Sequence, residues 1–113
     1  MQDEDACYGW WIGASLTLLG ALHLVDAPAL RAFTLRCADA RGGGGGFARS
    51  PGDPADVLHA YYGVATLALL REAGAGPVDA ALGVPTAAVA WMRAVHAAWA
   101  RGAGRARPAA APA

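Results

Sequence analysis

The residues able to do chemistry in this chain gather into one small group. Asp5 and Cys7 stand two positions apart in "DACYGWW", where a long apolar run begins, and His59 lies much later, in "DPADVLHAYYG". Zinc accepts a carboxylate oxygen, a thiolate sulfur and an imidazole nitrogen, and a catalytic zinc keeps its fourth position open. The positive end of a helix favours both a carboxylate and a thiolate. If the helix carrying His59 starts at the same end of the bundle, these three side chains can share a metal. They also read as a satisfied core histidine with an inert buried cysteine, and D-x-C plus a distant histidine does not choose between the two.

The other reactive types have plainer readings. Trp10 and Trp11 read as core on composition alone, and Tyr8, Tyr61 and Tyr62 each need a hydroxyl partner if buried. Cys37 falls in an apolar stripe and reads as packing, while His23 and His96 have no candidate partner. The run Gly42–Gly46 lacks the G-x-x-x-x-G-K-[ST] context of a phosphate cradle and reads as a linker. No Ser-His-Asp arrangement or catalytically spaced carboxylate pair is present.

Four helices must position these groups, and no strand pattern competes with them. Helix one is expected over Cys7–Leu24, apolar on every face and therefore enclosed by others. Helix two begins at Asp26-Ala27-Pro28, an N-cap followed by a first-turn proline, with Leu30, Phe33, Thr34 and Cys37 along one face. Helix three is expected from Asp53-Pro54, with Asp56 favouring its positive end. Gly74 and Gly76-Pro77 stop it. Pro85-Thr86 introduces helix four, which carries Val89, Met92, Val95, His96 and Trp99. Residues 1–101 are thus an all-α stack of helical hairpins, and residues 102–113 have the composition of a disordered tail.

The totals bound the setting. The chain has 113 residues, 56% of them hydrophobic, and its nine basic and nine acidic residues cancel. That length allows one domain at most, and zero net charge gives no reason to expect nucleic acid or an anionic membrane surface. Two cysteines make no disulfide framework, which suggests a reducing interior. "WWIGASLTLLGALHLV" is too short to span a bilayer, so no stable membrane insertion is expected. "MQDED" is acidic where a signal peptide would be basic, and no targeting signal is visible, so the expected location is cytoplasmic.

Read together, the segments resemble the C-terminal part of a protein prenyltransferase β subunit, over residues 5 to about 92. "DACYGWWIGASLTLLG" is similar to that family's D-x-C-Y-x-(F/W)-W motif at a helix start. "GGFARSPGDPADVLHAYYG" is similar to its G-G-F…P-G…D…H-x-Y-(Y/F)-G motif, in the same order and at matching separation. The resemblance implies a fragment of an α/α toroid with Asp5, Cys7 and His59 as zinc ligands. It further implies that the fourth zinc position takes the thiol of a C-terminal CaaX cysteine on a small GTPase. Zinc lowers that thiol's pKa, and the sulfur attacks C1 of geranylgeranyl diphosphate.

By the same resemblance Tyr8 hydrogen-bonds the diphosphate and Trp11 lines the isoprenoid funnel. Leu58 would shape the pocket for the substrate's last residues. Arg49, ten positions before His59, matches a basic residue with which type I geranylgeranyltransferases replace a metal's charge, where farnesyltransferases carry an acid. "WIGA", "ALRAF", "HAYYG" and "LGVP" also resemble type I β subunits, whereas "WW", "LH" and "PGD" resemble the Rab (type II) β subunit. The resemblance implies an α-subunit partner in a heterodimer. The family's basic diphosphate-binding residues lie upstream of D-x-C and have no counterpart in this sequence. Without them the leaving group's charge goes largely unstabilised, so the isolated chain is expected to be inactive. The competing readings are a catalytically inactive helical fragment and another α/α-toroid enzyme, such as a terpene cyclase, which uses acidic motifs instead.

Overall fold

The computed structural model describes residues 4–39 and 45–102. Its elements in order are α1 (Cys7–Leu18), a 3₁₀ turn (Leu22–Leu24), α2 (Ala27–Arg36), α3 (Val57–Leu69), β1 (Val78–Asp79), β2 (Val84–Pro85) and α4 (Thr86–Ala100). The architecture is helical, as the sequence implies. The expected tail, apart from Gly102, and residues 42–44 of the glycine run lie outside the described residues.

Helix α1 stops six residues short of the expected Leu24, and Gly20 is the reason. At φ 69 it adopts the left-handed conformation that side chains resist. Its N–H then donates to the Thr17 carbonyl, and that of Ala21 to the Leu16 carbonyl. This Schellman pairing closes the helix although the apolar sequence continues. Helix α2 starts where expected, with the Asp26 carboxylate accepting from the Ala29 amide at 3.0 Å.

Helix α3 begins later than expected, and its cap is Asp56 instead of Asp53. Asp56 sits extended and its carboxylate accepts from the His59 amide at 2.9 Å, the hydrogen bond an N-cap makes. The helix also ends before Gly74, because Arg71 takes φ 58 and completes a second Schellman turn through Leu67 and Ala68. Glu72, just beyond, takes both prongs of Arg31 at 2.5 and 2.8 Å and ties α2 to the end of α3.

The two strands were not anticipated. They are two residues each, too short to show alternation, and pair antiparallel as Val78↔Pro85 and Asp79↔Val84. The Asp79 carboxylate caps their turn by accepting from Ala81 and Leu82.

Helices α1 and α3 run side by side in the same direction, with Gly9 against Thr66 and Gly13 against Leu69. A Cβ at Gly9 would come within 2.8 Å of Thr66 Oγ1, and one at Gly63 would collide with the Phe47 ring. Glycine at these positions is what lets the elements approach this closely. The core of the seam is Trp10, Ala14, Ala65 and Leu69, with Tyr62, Val78 and Ala80 packed on it. Among the described residues no helix is long and apolar enough to cross a membrane.

Candidate metal centre

Parallel packing brings the N-terminal ends of α1 and α3 together, and the chemistry collects there. Asp5 lies just before α1, Cys7 opens it, and His59 sits in the first turn of α3. One ligand atom from each lies within 4.8 Å of the other two. Asp5 Oδ1 and His59 Nε2 are 3.4 Å apart, the edge of a tetrahedron whose metal–ligand bonds are about 2.0–2.1 Å long. With one oxygen, one sulfur and one nitrogen donor, the set fits zinc.

The ring of His59 is held from behind. Asp56 Oδ2 lies 2.6 Å from Nδ1, while its Oδ1 caps the helix. A carboxylate can only accept, so Nδ1 carries a proton, and Nε2 faces Asp5 and Cys7, placed to offer its lone pair to a metal. Hydrogen bonds from the amide and ring of His59 hold the Asp56 carboxyl below its usual range.

Burial pushes the Asp5 carboxyl up. The Cys7 thiol and amide outweigh this by hydrogen-bonding to it, the amide at 2.9 Å, and His59 and Arg49 add to the effect, so Asp5 titrates below its usual range. Cys7 is 5% exposed. Burial, then the bond and charge of Asp5, push its thiol up to about 11. The sulfur therefore holds its proton at neutral pH, and a metal must displace that proton to bind.

From this centre an aromatic path runs along the helices. Tyr8 meets Trp11 edge-on at 5.8 Å, Trp11 meets Tyr62 at 5.6 Å, and Tyr62 meets Tyr61 at 5.2 Å. Trp10 is core, as composition suggests, but Trp11 is 48% exposed and is not. On the other side of Tyr8 lies an apolar groove of about 430 Å³, lined by Ile12, Val25, Leu30 and Phe33 and reaching Asp5.

The remaining candidates sit at the margin. The Arg49 guanidinium pairs with Asp53 at 3.5 Å on the surface, and Leu58 is largely exposed. Cys37 is buried and its sulfur donates to the Arg49 carbonyl at 3.9 Å. His23 and His96 are exposed, the latter tilted on Trp99. Two contributors were missed in the sequence. Asp56 was read only as a favourable charge, although D-x-x-H at a helix start signals both a cap and a ring contact. Tyr62 was read only as a tyrosine that needs a hydroxyl partner if buried, not as part of an aromatic path.

Known proteins match this picture. Residues 1–84 match the prenyltransferase alpha-alpha toroid domain, and the chain belongs to that family. Within it, the chain is similar to the geranylgeranyl transferase type-1 subunit beta of Arabidopsis thaliana, 43% identical over 84 residues. That match covers 74% of this chain and 22% of the relative. The type-2 subunit beta of Saccharomyces cerevisiae is 36% identical over 66% of this chain and 22% of its own length. The type-2 subunit beta 1 of Arabidopsis thaliana is 38% identical over 72% and 25%. The chain thus spans about a quarter or less of the length of these relatives.

Proposed function

We propose that this chain forms the zinc-binding, thiol-alkylating part of a type I protein geranylgeranyltransferase β subunit. In that reaction a cysteine sulfur of a C-terminal CaaX sequence bonds to C1 of geranylgeranyl diphosphate. The C1–O bond breaks, diphosphate leaves and the thiol proton passes to solvent. The observation that carries this reading is the convergence of Asp5, Cys7 and His59 within 4.8 Å. Zinc bound there would supply the positive charge that keeps a substrate thiol ionised at neutral pH.

The chain's own residues account for the rest. Asp56 holds the His59 ring so that Nε2 faces the other two ligands. Tyr8 offers its hydroxyl to the diphosphate. Trp11 and Tyr62 offer ring surface to the isoprenoid, whose burial is worth about 0.8 kcal/mol per CH₂. Leu58, exposed beside His59, contacts the end of the peptide. The pair between Arg49 and Asp53 is exposed and therefore weak, so Arg49 can exchange its carboxylate for a diphosphate oxygen. In this reading the protein is cytoplasmic and works with an α subunit on small GTPases.

Arg49 supports type I, and so does the 43% identity to the Arabidopsis thaliana type-1 relative, although a type-1 relative from Dictyostelium discoideum stands at 36%, level with the type-2 relatives. The type II reading rests on the paired Trp10-Trp11 and on Pro51-Gly52-Asp53. Transfer assays with an α subunit supplied, comparing CaaX peptides with Rab-type C-terminal cysteines, separate the two.

The decisive test is zinc content of the purified chain and of Cys7→Ser. The expected result is about one equivalent in the first and little in the second. Equal content in both overturns the reading.

A further inference from the structure

One short segment touches every element that carries a ligand. The Phe47 carbonyl accepts from the Asp56 amide at 3.2 Å, at the start of α3. The Ala48 amide donates to the Cys37 carbonyl at 2.8 Å, at the end of α2. The Arg49 carbonyl accepts from the Ala6 amide at 2.8 Å, and the Ser50 hydroxyl donates to the Glu4 carbonyl at 2.6 Å. Glu4 and Ala6 are the two neighbours of Asp5. Residues 49 and 50 therefore grip the backbone on both sides of that carboxylate, while Phe47 and its neighbours anchor the grip to the helices.

Asp5 needs such a grip. It precedes the first helical turn, outside the hydrogen-bonded ladder of α1 that holds Cys7. A constellation of this kind works only when its atoms are held to about 0.5 Å. Cys7 and His59 are placed by helices packed on each other, and Asp56 adds a hold on the His59 ring. The Asp5 carboxylate accepts from the Cys7 amide at 2.9 Å, but the Asp5 backbone is placed by a loop.

We propose that Ser50 is a positioning residue of the metal centre. Through the Glu4 carbonyl it fixes where Asp5 Oδ1 stands opposite His59 Nε2. The Arg49 half of the grip is backbone and survives substitution, so Ser50 is the point at which a side-chain change loosens it. This inference rests on the metal-centre reading above.

The test is titration with cobalt(II), followed by its absorption spectrum, and zinc competition against a chelator. The chains compared are wild type, Ser50→Ala, Ser50→Val, Ser50→Thr and Ser15→Ala. Ser15 makes a similar bond to the Trp11 carbonyl at 2.7 Å, farther along α1, and serves as the matched control. Ser50→Ala and Ser50→Val should each bind metal about 10-fold more weakly and show an altered cobalt spectrum. Ser50→Thr, which keeps the hydroxyl, should recover most of the affinity, and Ser15→Ala should match wild type. Because Val and Thr have nearly the same shape, their difference isolates the hydroxyl even if Ala perturbs folding.

If all five chains bind alike with one spectrum, the role of Ser50 is overturned and the metal centre stands. If Ser15→Ala weakens binding as much as Ser50→Ala, the effect is general destabilisation and the role again falls. If wild type takes up no metal, both readings fall.

Discussion

The seam between α1 and α3 and the attachment of α4 are built to different standards. At the seam, glycines at 9 and 13 let α3 close in, Trp10 is buried and ligand atoms meet at the shared end. Helix α4 packs mainly on the two short strands, and Trp99 near its end is 63% exposed. The matched family domain ends at residue 84, just before α4 begins. Close packing is found where atoms must be placed accurately, and it relaxes where no such demand is visible.

The strongest challenge to that contrast is Trp10→Ala, which empties the seam and should cost about 3–5 kcal/mol in denaturant unfolding. A cost below about 1 kcal/mol would mean that the seam is not the principal core. Next in size is the effect of alkaline pH on the metal-free chain. Cys7 titrates near 11 when folded, against 9.0 ordinarily, so the folded state holds this proton more tightly than the unfolded one. Its contribution is complete below pH 9 and is lost as pH rises through 11, at most about 3 kcal/mol in all. Unfolding curves at several pH values should show that loss, and Cys7→Ser should remove its share, leaving only the part due to the buried Cys37, whose thiol burial also pushes up.

Asp56→Asn sharpens the contrast within the seam. Asparagine caps a helix as well as aspartate, so circular dichroism should be unchanged. It presents an N–H donor or a weaker acceptor to His59 Nδ1, and metal affinity measured by chelator competition should fall about 10–100-fold. The smallest expected effect is that of Trp99→Ala, within about 0.5 kcal/mol of wild type. A larger loss in the same unfolding assay would show α4 to be better anchored than its packing indicates.

Much of this could be read along the chain, and the failures have physical causes. Helix type and the cap at Asp26 are local signals and were legible. The end of α1 was missed because "LLGAL" remains apolar across Gly20, so hydrophobicity outvoted the one residue that breaks the helix. Asp53-Pro54 reads as a cap with a first-turn proline and Asp56 as a first-turn acid, so the sequence starts the helix one turn early; Asp56 is the cap. The strands depend on pairing across a turn, which no short window contains. The acid, thiol and imidazole were legible as donor types, but their meeting depends on two helices running parallel, and single-sequence periodicity does not encode direction. Exposure of Trp11 was equally hidden, since its helix is apolar all round.

The divided carboxylate of Asp56 narrows what evolution can place there. Glutamate would retain the charge but overshoot the amide it must reach, and serine would reach the amide yet leave the imidazole unheld. Asparagine would satisfy the backbone and unsettle the ring. Aspartate alone meets both demands, so at this position the signal that starts a helix and the part that aims a ligand are inherited as a single letter.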